Sequence, residues 1–123
     1  MKGILVVAHG SRSREASEVF NMVLNNFKLK VKEDNVEGCF MEISSPSIQD
    51  TIDIMYKKGI RDIVVVPYFL FSGIHIKEDV PEILRETKAK YGDVKISLAK
   101  PIGYNNIIVD ILKENSEGDL TCI

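Results

Sequence analysis

The stretch "GILVVAHGSRSREASEVFNMVLNNF", residues 3–27, decides the fold. Its first six residues, Gly3–Ala8, carry no charge and stop abruptly at His9 and Gly10. From Arg14 to about Lys30 the apolar residues Ala16, Val19, Phe20, Val23, Leu24 and Phe27 recur three or four apart, which gathers them on one face of a helix. A short apolar run followed by an amphipathic helix is a strand–helix unit, and a chain of such units folds as a parallel sheet covered by helices.

The same alternation continues outward. A strand over Val36–Ile43 leads into "SSPSIQDTIDIMYKKG", where serines offer caps, the proline suits a first helical turn and Gly59 ends the helix. Asp62–Phe69, with "IVVVPYF", reads as a fully buried strand. A third helix is expected from about Lys77 to Tyr91, with Asp79 capping it and Pro81 near its start. Asp93–Ala99 reads as the fourth strand and Asn105–Glu114 as the last helix. The predicted architecture is α/β: one three-layer domain over residues 1–115, with a four-stranded parallel sheet in the order 2-1-3-4. A polar tail, 116–123, is expected to be disordered.

Composition narrows the function. A chain of 123 residues is one domain by length, and a formal charge of −2 gives no general attraction to nucleic acid. No run approaches a membrane span and the opening apolar run is too short for a signal-peptide core, so the expected location is the cytoplasm. Cys39 lies in an apolar segment and Cys122 in the tail, a spacing that fits neither a zinc knuckle nor a redox pair; Cys39 is expected to be a buried small side chain. There is no GxxxxGK[ST] loop and no GxGxxG fingerprint, so ATP and NAD have no evident cradle.

The chain has only two histidines, and both follow apolar runs. In an open parallel sheet the ligand sits beyond the carboxyl ends of the strands, where the strand order reverses. His9 follows strand one and His75 lies after strand three; the predicted order makes these strands neighbours, so the pair faces one crevice. A lone histidine at a strand end is more often a hydrogen-bonded structural residue. Two imidazoles with open coordination positions suit nickel, cobalt or iron. Glu42, at the carboxyl end of strand two, can add a carboxylate ligand or accept a proton, or can be a solvated strand-end charge. Nucleophilic or phosphoryl chemistry through Ser11 or His9 is the weaker alternative, since histidine phosphatases normally carry an arginine where this chain has Ala8.

Taken together, "HGSR", "FMEISSPSI", "VVVPYFLFSGIHIKEDVP" and "KPIG" resemble the short-form class II chelatases of cobalamin and related tetrapyrrole pathways, the sirohydrochlorin cobalto- or nickelochelatases; the match runs from residue 2 to about 113. The resemblance implies ATP-independent insertion of a divalent ion, cobalt or nickel, into sirohydrochlorin, with no cofactor beyond that metal substrate. It places the family's metal-binding histidines on His9 and His75; from position alone, one of them or Glu42 is expected to help take up the pyrrole protons. Long-form members contain two such units, so a half-length chain is expected to form a homodimer with the tetrapyrrole cleft between copies. No nucleic acid or membrane partner is expected. Ser11, Arg12 and Lys100 lie at strand–helix junctions of the same rim, where N–H groups and cations suit the macrocycle's carboxylates; surface solvation is the plain alternative for the two cations. Tyr68, Phe71, Ser72 and Gly73, in "PYFLFSGI", are candidates to cover the flat ring, although Tyr68, Phe69 and Phe71 also read in part as core or interface. Glu78, Asp79 and Glu82 fit helix-dipole compensation, or a path that draws hydrated cations toward His75. A carrier that binds metal or tetrapyrrole without inserting is the non-catalytic alternative, and turnover separates the two.

Overall fold

The computed structural model describes residues 2–33 and 35–123; the side chains of His75 and Ile76 lie outside the described part. Four strands, β1 (Lys2–Ala8), β2 (Val36–Phe40), β3 (Asp62–Pro67) and β4 (Lys95–Leu98), alternate with four α-helices, α1 (Arg14–Val31), α2 (Ile48–Lys57), α3 (Val80–Ala89) and α4 (Asn106–Glu117). The sheet is parallel throughout and ordered β2-β1-β3-β4, as expected. Leu5 and Val7 alternate with Val6 and Ala8 along β1, and the two sets enter different cores. On one face Leu5, Val7, Cys39, Ile63 and Val65 pack with Ile48, Ile52 and Met55 of α2 and Val80 and Leu84 of α3. On the other, Val6, Ala8, Val36 and Phe40 receive Phe20 and Leu24 of α1. A strand buried on both faces needs a continuous apolar run, which is why β1 and β3 are legible as such.

The local chemistry explains the helix ends. Ser13 caps α1 by accepting from the Ala16 N–H at 3.3 Å, and Ser47 caps α2 by accepting from the Asp50 N–H at 3.1 Å. Pro46 therefore precedes the cap of α2 and does not occupy its first turn. The third helix starts differently from the sequence reading. A π-helical turn, His75–Asp79, runs straight into α3, and Asp79 keeps helical angles and makes no side-chain capping bond.

Three strands are shorter than expected. β2 ends at Phe40, three residues before Ile43, β3 ends at Pro67, two residues before Phe69, and β4 covers Lys95–Leu98 only. The last helix runs on to Glu117, and residues 118–123 form no regular element. No side chain of α4 is buried; Ile107, Val109, Ile111 and Leu112 are all exposed. Among the described residues no helix is long and apolar enough to cross a membrane.

Candidate functional site

β1 and β3 are hydrogen-bonded neighbours, yet the chain leaves them in different directions, to β2 and to β4, so the reversal of strand order falls between them. His9 is the first residue past β1. Its backbone is held by the chain beyond β2: the Met41 N–H donates to the Ala8 carbonyl at 2.8 Å and the Glu42 N–H to the His9 carbonyl at 3.1 Å. The two side chains then meet, His9 Nε2 lying 3.1 Å from Glu42 Oε1, with both about half exposed (45% and 52%). Phe69 sets its ring edge-on to the imidazole, centroids 6.1 Å apart.

Such a close approach of two loops is possible because residue 10 is glycine. A Cβ on Gly10 would lie 1.8 Å from the Glu42 carbonyl oxygen, and its φ of +110° is one that L side chains rarely adopt. The partner loop is strained in return. Ser44 donates its N–H to the Glu42 carbonyl at 2.7 Å, closing a γ-turn around Ile43, whose φ is +70°. For a β-branched residue this is an outlier, which costs about 1–3 kcal/mol. That turn is what ends β2 early and carries Glu42 off the strand.

The pair stands between two grooves of different character. His9 opens on a groove of about 220 Å³ floored by Phe20, Phe40 and Tyr68. These rings pack together, Phe20 lying 5.2 Å from Phe40 and 5.7 Å from Tyr68. Glu42 opens on one of about 330 Å³ whose other charged residues, Asp79, Glu82 and Glu86, are all acidic. Two donors each about 2.1 Å from one metal ion at a right angle are themselves about 3.0 Å apart, so the His9–Glu42 separation fits adjacent positions around a single ion. Cys39 is no ligand: it is fully buried in the core, and burial pushes its thiol up to about 12.

The other sequence candidates distribute around this centre. Ser11 is partly buried beside the pair and lines the His9 groove with Tyr68. Tyr68 is tied to β1 through its N–H, which donates to the Val7 carbonyl at 2.7 Å. Phe71, Ser72 and Gly73 are exposed on the loop after β3, with Phe71 78% accessible. Arg12 is exposed after Ser11. Lys100 is exposed two residues past β4, two strands along the rim from His9, roughly 10 Å at ordinary strand spacing. The backbone of His75 opens the π-helical turn after β3; its side chain, expected to face His9, is outside the described residues. Among the described residues no group of three or more His, Cys, Asp or Glu side chains is arranged to hold a metal ion. Glu86 and Ser44 were missed by the sequence reading. Glu86 stands one helical turn past Glu82, a spacing that could have found it. Ser44 sits in a serine run that reads as a helix start.

A doubly wound α/β domain with an imidazole–carboxylate pair at its switch point defines a small-ligand protein of the open-sheet class. Residues 3–118 match the CbiX family, and the chain belongs to that family. It is 41% identical over 122 residues to the sirohydrochlorin cobaltochelatase of Sulfolobus acidocaldarius, covering 98% of this chain and 94% of that one. It is 31% identical over 112 residues to the chloroplastic sirohydrochlorin ferrochelatase of Arabidopsis thaliana, covering 91% of this chain and 50% of that one. The crystal structure of the sirohydrochlorin chelatase SirB from Bacillus subtilis subspecies spizizenii in complex with cobalt superimposes with a TM-score of 0.89 at 31% identity, covering 94% of this chain and 50% of that one. The chain thus spans about half the length of some relatives and nearly all of others.

Proposed function

We propose that this protein inserts a divalent metal ion into sirohydrochlorin without ATP, with cobalt its first metal and nickel its second. The observation that carries the reading is the His9–Glu42 pair, 3.1 Å apart at the switch point, with an apolar groove on one side and an acidic one on the other. The relatives named as cobalto- and ferrochelatases supply the substrate class, and the cobalt complex of SirB favours cobalt.

The chemistry follows from the donors. A neutral imidazole and a carboxylate bind an ion of borderline softness while leaving most of its coordination positions to water, so the ion can pass on to ring nitrogens. In this reading His75, on the neighbouring strand's loop, brings the second imidazole. Insertion displaces two pyrrole N–H protons. Glu42 and His9 are both half exposed, so either can take a proton and release it to water. Ser11, Arg12 and Lys100 hold the macrocycle's carboxylates, and Tyr68, Phe71, Ser72 and Gly73 cover its face. Negative potential along Asp79, Glu82 and Glu86 favours approach of a hydrated dication from the Glu42 side.

The working unit in this reading is the α/β domain, expected over residues 1–115 and extended to Glu117 by α4, acting as a homodimer in the cytoplasm. What supports pairing is α4, whose Ile107, Val109, Ile111 and Leu112 are all exposed, and the exposure of Phe71 and Tyr104 on the same series of loops.

The test is spectroscopic. Purified protein mixed with sirohydrochlorin and Co²⁺ or Ni²⁺, with no nucleotide, should convert many equivalents of macrocycle faster than a protein-free control, followed by visible absorption. Saturation at one equivalent would make the protein a carrier, and rates equal to the control would defeat the reading.

A further inference from the structure

The loops after β1 and β2 are fastened at three successive places. Glu42 donates its N–H to the His9 carbonyl immediately after Met41 has donated to Ala8, two consecutive residues turned toward one neighbour, which a regular ladder does not permit because alternate amides face opposite sides. Gly10 then lies against the Glu42 carbonyl at a distance that excludes any side chain. The third fastening is the hydroxyl of Ser44. Its Oγ donates to the Ser11 carbonyl at 2.8 Å and accepts from the Ser11 N–H at 3.2 Å, so one side chain satisfies both backbone groups of a residue 33 positions away.

Ser44 is neither a helix cap nor a core residue. Ser47 caps α2, and Ser44 stands half-buried three residues before it. It is the residue that follows the strained Ile43, and it also closes the γ-turn through its own N–H. A turn at an unfavourable φ persists where its surroundings hold it; beyond Ile43 the Phe40 N–H donates to the Pro46 carbonyl at 2.9 Å, which returns the chain to β2, and Ser44 is the tie that runs across to the loop after β1. Two side-chain ties join these loops among the described residues, His9 to Glu42 and Ser44 to Ser11.

We propose that Ser44 is a positioning residue for metal transfer: by pinning the closed turn at Ile43 to Ser11, it keeps the Glu42 carboxylate at the bite distance from His9. The proposal rests on the role given above to His9 and Glu42, and it adds a residue that touches neither ion nor macrocycle.

The test uses steady-state insertion with the metal and the macrocycle varied separately, alongside thermal unfolding, for Ser44→Ala, Ser44→Thr, Glu42→Gln and the double variant Glu42→Gln/Ser44→Ala. Ser44→Ala should lower kcat/KM for Co²⁺ about tenfold, the scale on which partners that orient a metal-binding group act. Ser44→Thr keeps the hydroxyl and should recover most of the loss. In the Glu42→Gln background Ser44→Ala should add less than about twofold, because both changes act through one carboxylate. An undiminished tenfold loss in that background overturns the proposal, as does a Ser44→Ala loss that vanishes per folded molecule or a folded Ser44→Thr as impaired as Ser44→Ala. Wild-type kinetics for Ser44→Ala with Glu42→Gln impaired sinks the positioning role alone, whereas wild-type kinetics for Glu42→Gln sinks the reading of the pair itself.

Discussion

At the amino end of the sheet, Tyr56 and Tyr91 stack with ring centroids 3.9 Å apart, and the Arg61 guanidinium lies 3.6 Å above the Tyr56 ring. Every polar tip there is tied. Tyr56 donates to Asp93 at 2.6 Å, Arg61 donates to the same carboxylate at 3.1 Å and to the Tyr56 carbonyl at 2.8 Å, and the Tyr91 hydroxyl donates to Asp53. At the carboxyl end aromatic rings and a carboxylate recur with an imidazole in place of the guanidinium, and the pair stands half open above a strained turn. Sheets of this kind separate holding from handling. One end closes its hydrogen bonds among its own residues, and the other keeps an imidazole–carboxylate pair half exposed to solvent.

The sharpest way to break this contrast is at the carboxyl end. His9→Ala should abolish most insertion, a loss of about a hundredfold or more in kcat, while the melting temperature stays near wild type, because the ring lies outside both cores. His75→Ala should do the same. Calorimetry beside the absorption assay checks both, and a variant that unfolds with its activity per folded molecule preserved marks that histidine as structural.

The amino end should give the mirror result. Arg61→Ala removes the stacked cation, an ion pair and two carbonyl partners, and should destabilise the fold by about 1–2 kcal/mol in urea titrations while kcat and both KM values stay unchanged. The pH dependence has a definite sign. The hydrogen bond from Tyr56, and then that from Arg61, hold the Asp93 carboxyl below its ordinary value, so this contribution is present above about pH 3.8 and fades as pH falls through the lowered value. Hydrogen bonds to Asp93 and Asp53 push the Tyr56 and Tyr91 hydroxyls above their ordinary value of 10, so their contribution is present below pH 10 and fades as pH rises past it. The Arg61→Ala deficit should therefore shrink in acid.

The smallest effect belongs to the acidic groove. Glu86→Gln should raise the KM for Co²⁺ about two- to threefold at low ionic strength and less at high salt, with kcat intact, since a single exposed charge acts through a screened field. An effect that ignores salt would make Glu86 something other than part of a field.

Much of the fold was legible because β1 and β3 are apolar on both faces and α1 and α2 have serine caps and one-sided apolar spacing. The end of β2 was not. Ile43 is a residue that pattern reading assigns to a strand, yet its φ is set by a contact to a loop thirty residues earlier, and no local signal carries that. The same long-range pairing hid Ser44 among serines that read as caps. His9 and Glu42 were legible as strand-end groups, and their meeting depended on the strand order 2-1-3-4 being right. The π-helical turn before α3 left no mark in "HIKEDVP" beyond Pro81, whose ring is compatible with several ways of starting a helix.

The exposed α4 has a consequence for how the molecule breathes. Twelve residues are close to the length below which a helix is marginal in water, and none of this helix's side chains is buried. Its amides should exchange with solvent through local fraying, long before the sheet opens. Any cover raises their protection by the free energy with which the cover binds. If two copies meet over α4, deuterium uptake across residues 106–117 slows as protein concentration rises while uptake in β1 and β3 stays constant, so this one helix acts as a gauge of association that the rest of the chain cannot feel.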